Sequence, residues 1–494
     1  MDQSQIDALR GTPIAPQRLL IDGEHRAAES GETDEVISPL NGRVLTQMAS
    51  AGRADADLAV TAARRAFEDK RWRGMAPAAR KKIMMRWADL IEAEALTLAV
   101  MGVRNNGTEI GMAMRAEPGS AVATLRYYAE AIDKLYGEIA PTAGDVMGLI
   151  HREPVGVVAA IIPWNFPLMI GAWKLGPALA AGNSVVLKPS ETAALSLIRI
   201  AELALEAGLP PGVLNVVTGP GAVVGDALAR SMDVDVIAFT GSGATGRRLL
   251  EASAASNLKR CYLELGGKSA NIVCADARDL AEAAKVSAAG IFRNSGQVCV
   301  AGSRLLVERS IHDEFLAELT AATKALTVGD PLSLTTQAGA VNNARQLAQN
   351  LEFVKTAQAE GGALHYGGAR ILEDTGGYFM EPTIITGVGR DDTVAQQEVF
   401  GPVLAVTAFD SEDEAISLAN STDYGLAGGL WTADLSRAHR MIAEMRTGVV
   451  HVNTYGGPDV TVPMGGRKGS GNGHDKSLHA FDKFVDLKTA WIKL

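Results

Sequence analysis

Beyond residue 155 the chain alternates short apolar runs with amphipathic segments of helical period. GVVAAIIP, NSVVLKPS, VLNVVT and VDVIAFT are separated by helical patterns, among them residues 192–207 and a segment after Gly246. Short β-rich runs bounded by turn signals read as buried strands, and their alternation with helices predicts parallel βαβ units with right-handed crossovers. A second series starts near Ala270 and runs through ANIVCADA, a helix from Asp279, RLLVERS, a helix from Ile311, VLAVTAF, a helix from Glu412 and GVVHVN. Two such series predict an α/β protein with a Rossmann-like domain and a second α/β domain with its own sheet. The first 130 or so residues read as mixed, with helices over 54–69 and 77–103, the latter opened by Pro77.

The stretch 155–173 holds 19 residues without a charge, about the length a bilayer asks for. Pro163, Asn165 and Pro167 at its centre make it a turn between a buried strand and a buried helix. With 494 residues and a net charge of −10, the chain has room for two or three cores and no general affinity for nucleic acid or anionic membrane. The cluster Lys70, Arg71, Arg73, Arg80, Lys81, Lys82 and Arg86 is followed by Asp89, Glu92 and Glu94, so it reads as a solvated helix surface. Three cysteines make no disulfide framework and fit a reducing compartment. Residues 1–10 include Asp2 and Asp7 and no apolar core of a secretory signal, so the expected location is the cytoplasm.

Candidate chemistry gathers at a few loops. Gly241, Gly243 and Gly246 form G-x-G-x-x-G between a predicted strand and helix, a pattern that a tight turn without a ligand also satisfies. The acid about 20 residues on is Glu264, while Lys188 and Glu191 offer a rival ribose site at another strand end. Cys299 lies in a polar, glycine-punctuated loop with Asn294, Gly296 and Gln297, which predicts an accessible thiol facing backbone N–H groups. Cys261 and Cys274 sit in apolar runs and read as core. No cysteine or histidine has metal-ligand spacing, so no metal site is expected. Glu264 is a carboxylate inside an apolar strand, so it is either salt-bridged structure or a base with a raised pKa. Asn165 is either an oxyanion donor or the cap of the following helix.

The motifs PWNFP, KPSE, FTGS, ELGGK, N-x-G-Q-x-C, EVFGP and PMGGRKGSG, in that order over nearly the whole chain, resemble the aldehyde dehydrogenase superfamily. Residues 129–138, 173–182 and 470–479 with Leu487-Lys-Thr are most similar to its γ-glutamyl-γ-aminobutyraldehyde dehydrogenase branch. The resemblance implies oxidation of an aldehyde to a carboxylic acid through a cysteine thiohemiacetal and thioester. Cys299 is then the nucleophile, Asn165 with the Cys299 N–H the oxyanion donor, and Glu264 the water-activating base, with Lys174 in the catalytic set. It also implies NAD as cofactor, with NADP weaker. The implied contacts are Ile161, Pro163, Trp164, Lys188, Ser190, Glu191, Gly221, Gly225, Phe239, Thr240, Gly241, Ser242, Leu265, Glu398 and Phe400. The aldehyde pocket is implied at Phe166, Ile170, Trp173, Val298, Val300, Asp459 and Met464.

By the same resemblance, residues 1–127 and 148–262 form the NAD-binding domain and 263–465 the catalytic domain. Segments 128–147 and 466–494 form a small β element for a homodimer or homotetramer. The chain departs from the family pattern at Gln397, at His474-Asp475 and at Met464, where an aromatic is usual and a wider pocket is expected. The expected substrate is an ω-amino or γ-glutamylated aminoaldehyde, with broad aliphatic and aromatic aldehydes as the alternative. Acylation of coenzyme A needs no water-activating carboxylate and is disfavoured by Glu264. A non-catalytic role, as in lens relatives, is disfavoured by Cys299, Glu264 and Asn165 together.

Overall fold

Two seven-stranded sheets and one three-stranded sheet frame the computed structural model, which describes residues 2–457 and 459–494. The first sheet runs in the order Arg260–Glu264, Val236–Thr240, Val157–Ile161, Ser184–Lys188, Leu214–Val216, Leu19–Ile21, Glu24–Arg26. Its first five strands are parallel, and the N-terminal pair adds antiparallel. Alternate residues of each central strand enter different cores, as burial on both faces requires. Val158, Ala160, Val185 and Leu187 meet the helices Pro167–Ala181 and Leu195–Ala207. Val157, Ala159, Ile161 and Val186 meet Arg53–Glu68 on the other face.

The uncharged stretch 155–173 divides into the strand Val157–Ile161, a turn, and the start of Pro167–Ala181 with its proline in the first helical turn. No helix among the described residues is long and apolar enough to cross a membrane. The expected helix 77–103 is two helices, Pro77–Ala93 and Ala95–Asn106, broken at Glu94, whose carboxylate holds Arg199. In the basic cluster, Arg80 is buried, so the reading of a wholly solvated face fails there.

The second sheet runs Ala363–Tyr366, Thr383–Thr386, Val403–Phe409, Arg304–Glu308, Ala270–Val273, Ala427–Trp431, Val449–Val452. All neighbours are parallel except the first pair. Ala363–Tyr366, Thr383–Thr386 and Ala427–Trp431 go beyond the predicted strands; two glycines inside the last erase its apolar run. In the third sheet Val485–Lys493 pairs antiparallel with Val146–Pro154, from Val485 opposite Pro154 to Lys493 opposite Val146. Glu138–Ala140 flanks it on the other side. The C-terminal strand therefore has one edge satisfied within the chain.

Candidate active site

From Val157–Ile161 the chain moves to Ser184–Lys188 on one side and later returns to Val236–Thr240 on the other. Strand order reverses there, and ligands of open parallel sheets bind outside the strand carboxyl ends at such a point. Ile161, Pro163 and Trp164 follow one strand, and Phe239, Thr240, Gly241 and Ser242 end the other. The Thr240 hydroxyl is buried without a hydrogen-bond partner. At Gly241 a Cβ would strike the Phe239 ring, so glycine there lets that ring pack against the turn. Ser242 caps the helix Gly243–Ala254. That helix begins before Gly246, not after it, and Gly246 packs it against Leu265. The three glycines thus do not form one phosphate loop.

Lys188 Nζ lies 3.0 Å from Glu191, and Glu191 accepts the Gly221 N–H at 2.6 Å. Ser190 Oγ is 3.4 Å from Thr192 Oγ1, and the Gly225 Cα faces open space. The orphaned Thr240 hydroxyl and a carboxylate beside a lysine, both at strand carboxyl ends, fit a dinucleotide. Glu264 lies apart from Lys188 and Glu191, against the segment 470–473: the Leu265 N–H donates to the Ser470 carbonyl at 2.9 Å.

Cys299 is held by a loop of unusual backbone. The helix Leu280–Phe292, capped by Asp279, gives way to Asn294, Ser295 and Gly296 at φ of 50°, 51° and 70°. Positive φ is uncommon for Asn and Ser, so outside contacts must fix it. The Asn294 N–H donates to the Glu109 carboxylate at 3.2 Å, Thr108 Oγ1 donates to Asn294 Oδ1 at 2.8 Å, and Ser295 Oγ donates to the Gly339 carbonyl at 2.7 Å. Gln297 Nε2 donates to the Asn294 carbonyl at 2.9 Å, and its Oε1 accepts the Asn342 N–H at 2.8 Å. Cys299 itself is partly exposed, whereas Cys261 and Cys274 are buried. Packing around its sulfur, then the Glu398 and Glu264 carboxylates, push the thiol up to about 12, against the Val300 and Cys299 N–H groups. The partly exposed thiol thus faces the backbone N–H groups expected of this loop, while burial of its sulfur disfavours the thiolate, so the proton must leave as the sulfur attacks.

Asn165 is buried, and its Nδ2 donates to the Gln297 carbonyl at 3.0 Å. An amide has two such hydrogens, so one remains for an oxyanion. Asn165 does not cap the following helix: Phe166 stands at that position, and Glu117 accepts the Met169 N–H at 2.9 Å.

Glu264 ends the strand Arg260–Glu264, and its Oε1 is buried without a hydrogen-bond partner. Burial and then the charge of Asp475 raise its carboxyl well above the usual range, opposed by Lys174 and Lys483. Lys174, on the helix Pro167–Ala181, lies 2.5 Å from Asp475 Oδ2, and Lys483 takes Oδ1. Burial would raise Asp475, but the two ammonium groups outweigh it and hold the carboxyl below its ordinary value.

The second sheet contributes Glu398, which accepts the Gly267 N–H at 2.9 Å and is raised to about 7 by burial. Phe400, at φ 56°, sets its ring edge-on to Trp164 with centroids 5.2 Å apart, joining the loops of the two sheets. Of the expected pocket residues, Trp173, Val298 and Val300 are half-buried and Asp459 is exposed. Phe166 and Ile170 are buried in the first core, and Met464 is buried opposite Asp475. Sequence reasoning missed Glu109, Glu117 and Lys483; a carboxylate inside a helical pattern and a lysine beside aromatics were the only signals. Among the described residues no group of three or more His, Cys, Asp or Glu side chains could hold a metal ion.

The family model described as "Aldehyde dehydrogenase family" matches residues 25–490. The chain is 50% identical over 477 residues to the NADP/NAD-dependent aldehyde dehydrogenase PuuC of Escherichia coli K12, covering 97% of this chain and 96% of that one. It superposes on a crystal structure of an indole-3-acetaldehyde dehydrogenase complexed with NAD+ at a TM-score of 0.98, with 50% identity and all of each chain covered. A γ-glutamyl-γ-aminobutyraldehyde dehydrogenase from Burkholderia cenocepacia gives a TM-score of 0.98 at 47% identity, again covering all of each chain.

Proposed function

Since this chain belongs to the aldehyde dehydrogenase family and oxidises aldehydes with NAD(P), we propose that Cys299, Asn165 and Glu264 carry the reaction. The observation behind this reading is the Asn165 amide held on the Gln297 carbonyl, two residues before a cysteine whose thiol feels the charge of Glu264. As the aldehyde carbon approaches, the Cys299 thiol gives up its proton to solvent water and the S–C bond forms. The carbonyl oxygen becomes an oxyanion, held by the free Asn165 Nδ2 hydrogen and the Cys299 N–H. When bound, NAD supplies the acceptor for the hydride leaving that carbon. The C=O bond re-forms as a thioester on Cys299. Glu264 then takes a proton from water, the hydroxyl adds to the thioester, the C–S bond breaks as the acid's C=O re-forms, and the proton held by Glu264 passes to the sulfur, restoring thiol and carboxylate.

Lys188, Ser190, Glu191, Gly221 and Gly225 would hold the adenosine side, and Trp164, Thr240, Gly241 and Ser242 the pyrophosphate. Ile161, Pro163, Phe239 and Leu265 would line the dinucleotide, and Glu398 with Phe400 would meet the nicotinamide ribose and ring. Glu191 facing the ribose favours NAD over NADP, whose 2′-phosphate would meet like charge. We assign residues 1–127 and 155–262 to the cofactor domain, 263–465 to the catalytic domain, and 128–154 with 466–494 to an assembly element, moving the boundary expected at 148 past the strand Val146–Pro154.

The substrate we infer is an ω-amino or γ-glutamylated aminoaldehyde. Likeness to the Burkholderia enzyme supports it, as does the exposed acid Asp459, expected in one pocket with the half-buried Trp173, Val298 and Val300. The indole-3-acetaldehyde enzyme favours a second reading, an aromatic aldehyde on the same apolar wall. A panel of ω-amino, γ-glutamylated, aliphatic and aromatic aldehydes, ranked by kcat/KM, decides between them. The highest value for an aromatic member would replace the first reading with the second. We further propose a homodimer or homotetramer in the cytoplasm.

A further inference from the structure

Lys483 plays no part in the steps above, yet it is one of the most deeply buried charges in the molecule. It ends the turn Leu478–Lys483, its side chain is 5% exposed, and its ammonium bonds one oxygen of Asp475 while Lys174 bonds the other. Lys174 and Asp475 are each 1% exposed and would already make a neutral buried pair. Adding a second buried ammonium leaves an uncompensated charge, which costs several kcal/mol unless another anion answers it. Glu264 is that anion: it bridges Gly471 and sets its Oε1 against Gly473, two residues before Asp475, within reach of the charges of Lys174 and Lys483, and that buried oxygen has no hydrogen-bond partner.

We propose that Lys483 is a positioning residue: by holding the second oxygen of Asp475 it leaves the Lys174–Asp475–Lys483 cluster one net positive charge, which the ionised Glu264 completes. The inference rests on Glu264 being the base. The titratable groups facing Glu264 are Asp475 and Lys483 from the C-terminal segment, Lys174 from the helix Pro167–Ala181, and Cys299 from its loop. Those facing Lys483 also include His474, whose cationic form burial and the lysine itself disfavour, while Asp475 further faces Tyr128 and Lys476, the latter answered first by Asp459. Phe484 covers the ammonium from the other side, with its ring centroid 5.4 Å away. Without the second ammonium, Lys174 and Asp475 cancel, and a carboxylate already disfavoured by burial loses its counter-charge.

The test compares wild type with Lys483→Met, Lys483→Gln and Lys483→Arg, following steady-state kcat against pH and the pre-steady-state burst of NADH with propanal. Gln keeps a donor to Asp475 without the charge, and Arg keeps the charge. The expected result is an alkaline shift of the rising limb of kcat by about one pH unit or more in Met and Gln, with the burst retained at high pH and Arg close to wild type. An unshifted limb in either folded neutral variant overturns the proposal, as does an Arg variant that shifts like Met. Failure of both neutral variants to fold while Arg folds assigns the charge to stability and overturns it too. A wild-type protein with no NADH from any aldehyde would instead defeat the reading of the active site, a separate outcome.

Discussion

The Asn165 side chain donates to the carbonyl of Gln297 across 3.0 Å, tying the turn after the central strand of the first sheet to the loop that carries Cys299. One amide therefore fixes the spacing between oxyanion donor and nucleophile and keeps a second hydrogen for the reaction. Asn165→Ala removes both functions, so kcat should fall by about 10²- to 10³-fold with KM little changed. Steady-state kinetics check this; a variant losing less than about tenfold in kcat would place the oxyanion elsewhere.

Cys299→Ala should abolish oxidation and leave NAD binding intact, because Cys261 and Cys274 are both buried. Dinucleotide titration with a turnover assay checks it. Glu264→Gln should permit one round of hydride transfer and slow deacylation by about 10²-fold or more, giving a burst of NADH before a slow steady state. Unchanged steady-state turnover would show that Glu264 is structural.

Glu191 holds both Lys188 and the Gly221 N–H, so it is oriented before any nucleotide arrives. Glu191→Ala should therefore reduce kcat/KM with NAD and narrow its lead over NADP. An equal or higher wild-type kcat/KM with NADP would refute the assignment.

Local physics made some of this site legible in the sequence and hid the rest. The strand ends carrying Asn165, Lys188, Thr240 and Glu264 could be read because parallel βαβ units announce themselves in consecutive apolar runs. The membership of Cys299 in a polar loop was visible, but the left-handed turn at Asn294 and Ser295 was not, since it is imposed by Glu109, Thr108 and Gly339 from distant segments. The cluster on Asp475 joins residues 301 and 8 positions away, and no periodicity records such a meeting. The break at Glu94 escaped notice because its neighbours continue the helical pattern, and an ion pair with Arg199 accompanies the turn.

The three-stranded sheet leaves apolar side chains in solvent, among them Ile139 at 76%, Trp491 at 67% and Leu487 at 65% exposure. The register puts Leu487 and Trp491 on one face of this sheet and Ile139 with Ile492 on the other, and exposed apolar side chains on both faces mark an association surface. Trp491→Asp with Ile139→Asp should lower the mass in solution toward that of one chain, read by light scattering. A wild-type monomer with full activity would remove the assembly claim.

Glu117 gives the last prediction, through the turn Arg115–Gly119 that faces the helix carrying Lys174. Its carboxyl accepts the Met169 N–H, and burial raises it from 4.5 to about 8 against that donor. The folded pKa lies above that of the unfolded chain, so between the two values the folded state binds the extra proton. The stability this contributes is fully present below the unfolded value, declines as pH rises, and is lost above the folded value of about 8. Glu117→Gln keeps an acceptor for Met169 and cannot ionise, so it escapes that loss. Its Tm should match wild type below about pH 4.5 and exceed it by a margin that grows up to about pH 8 and is constant above. Parallel Tm curves for the two proteins would mean that Glu117 is ionised in the folded state and that its bond to the helix is made by a carboxylate.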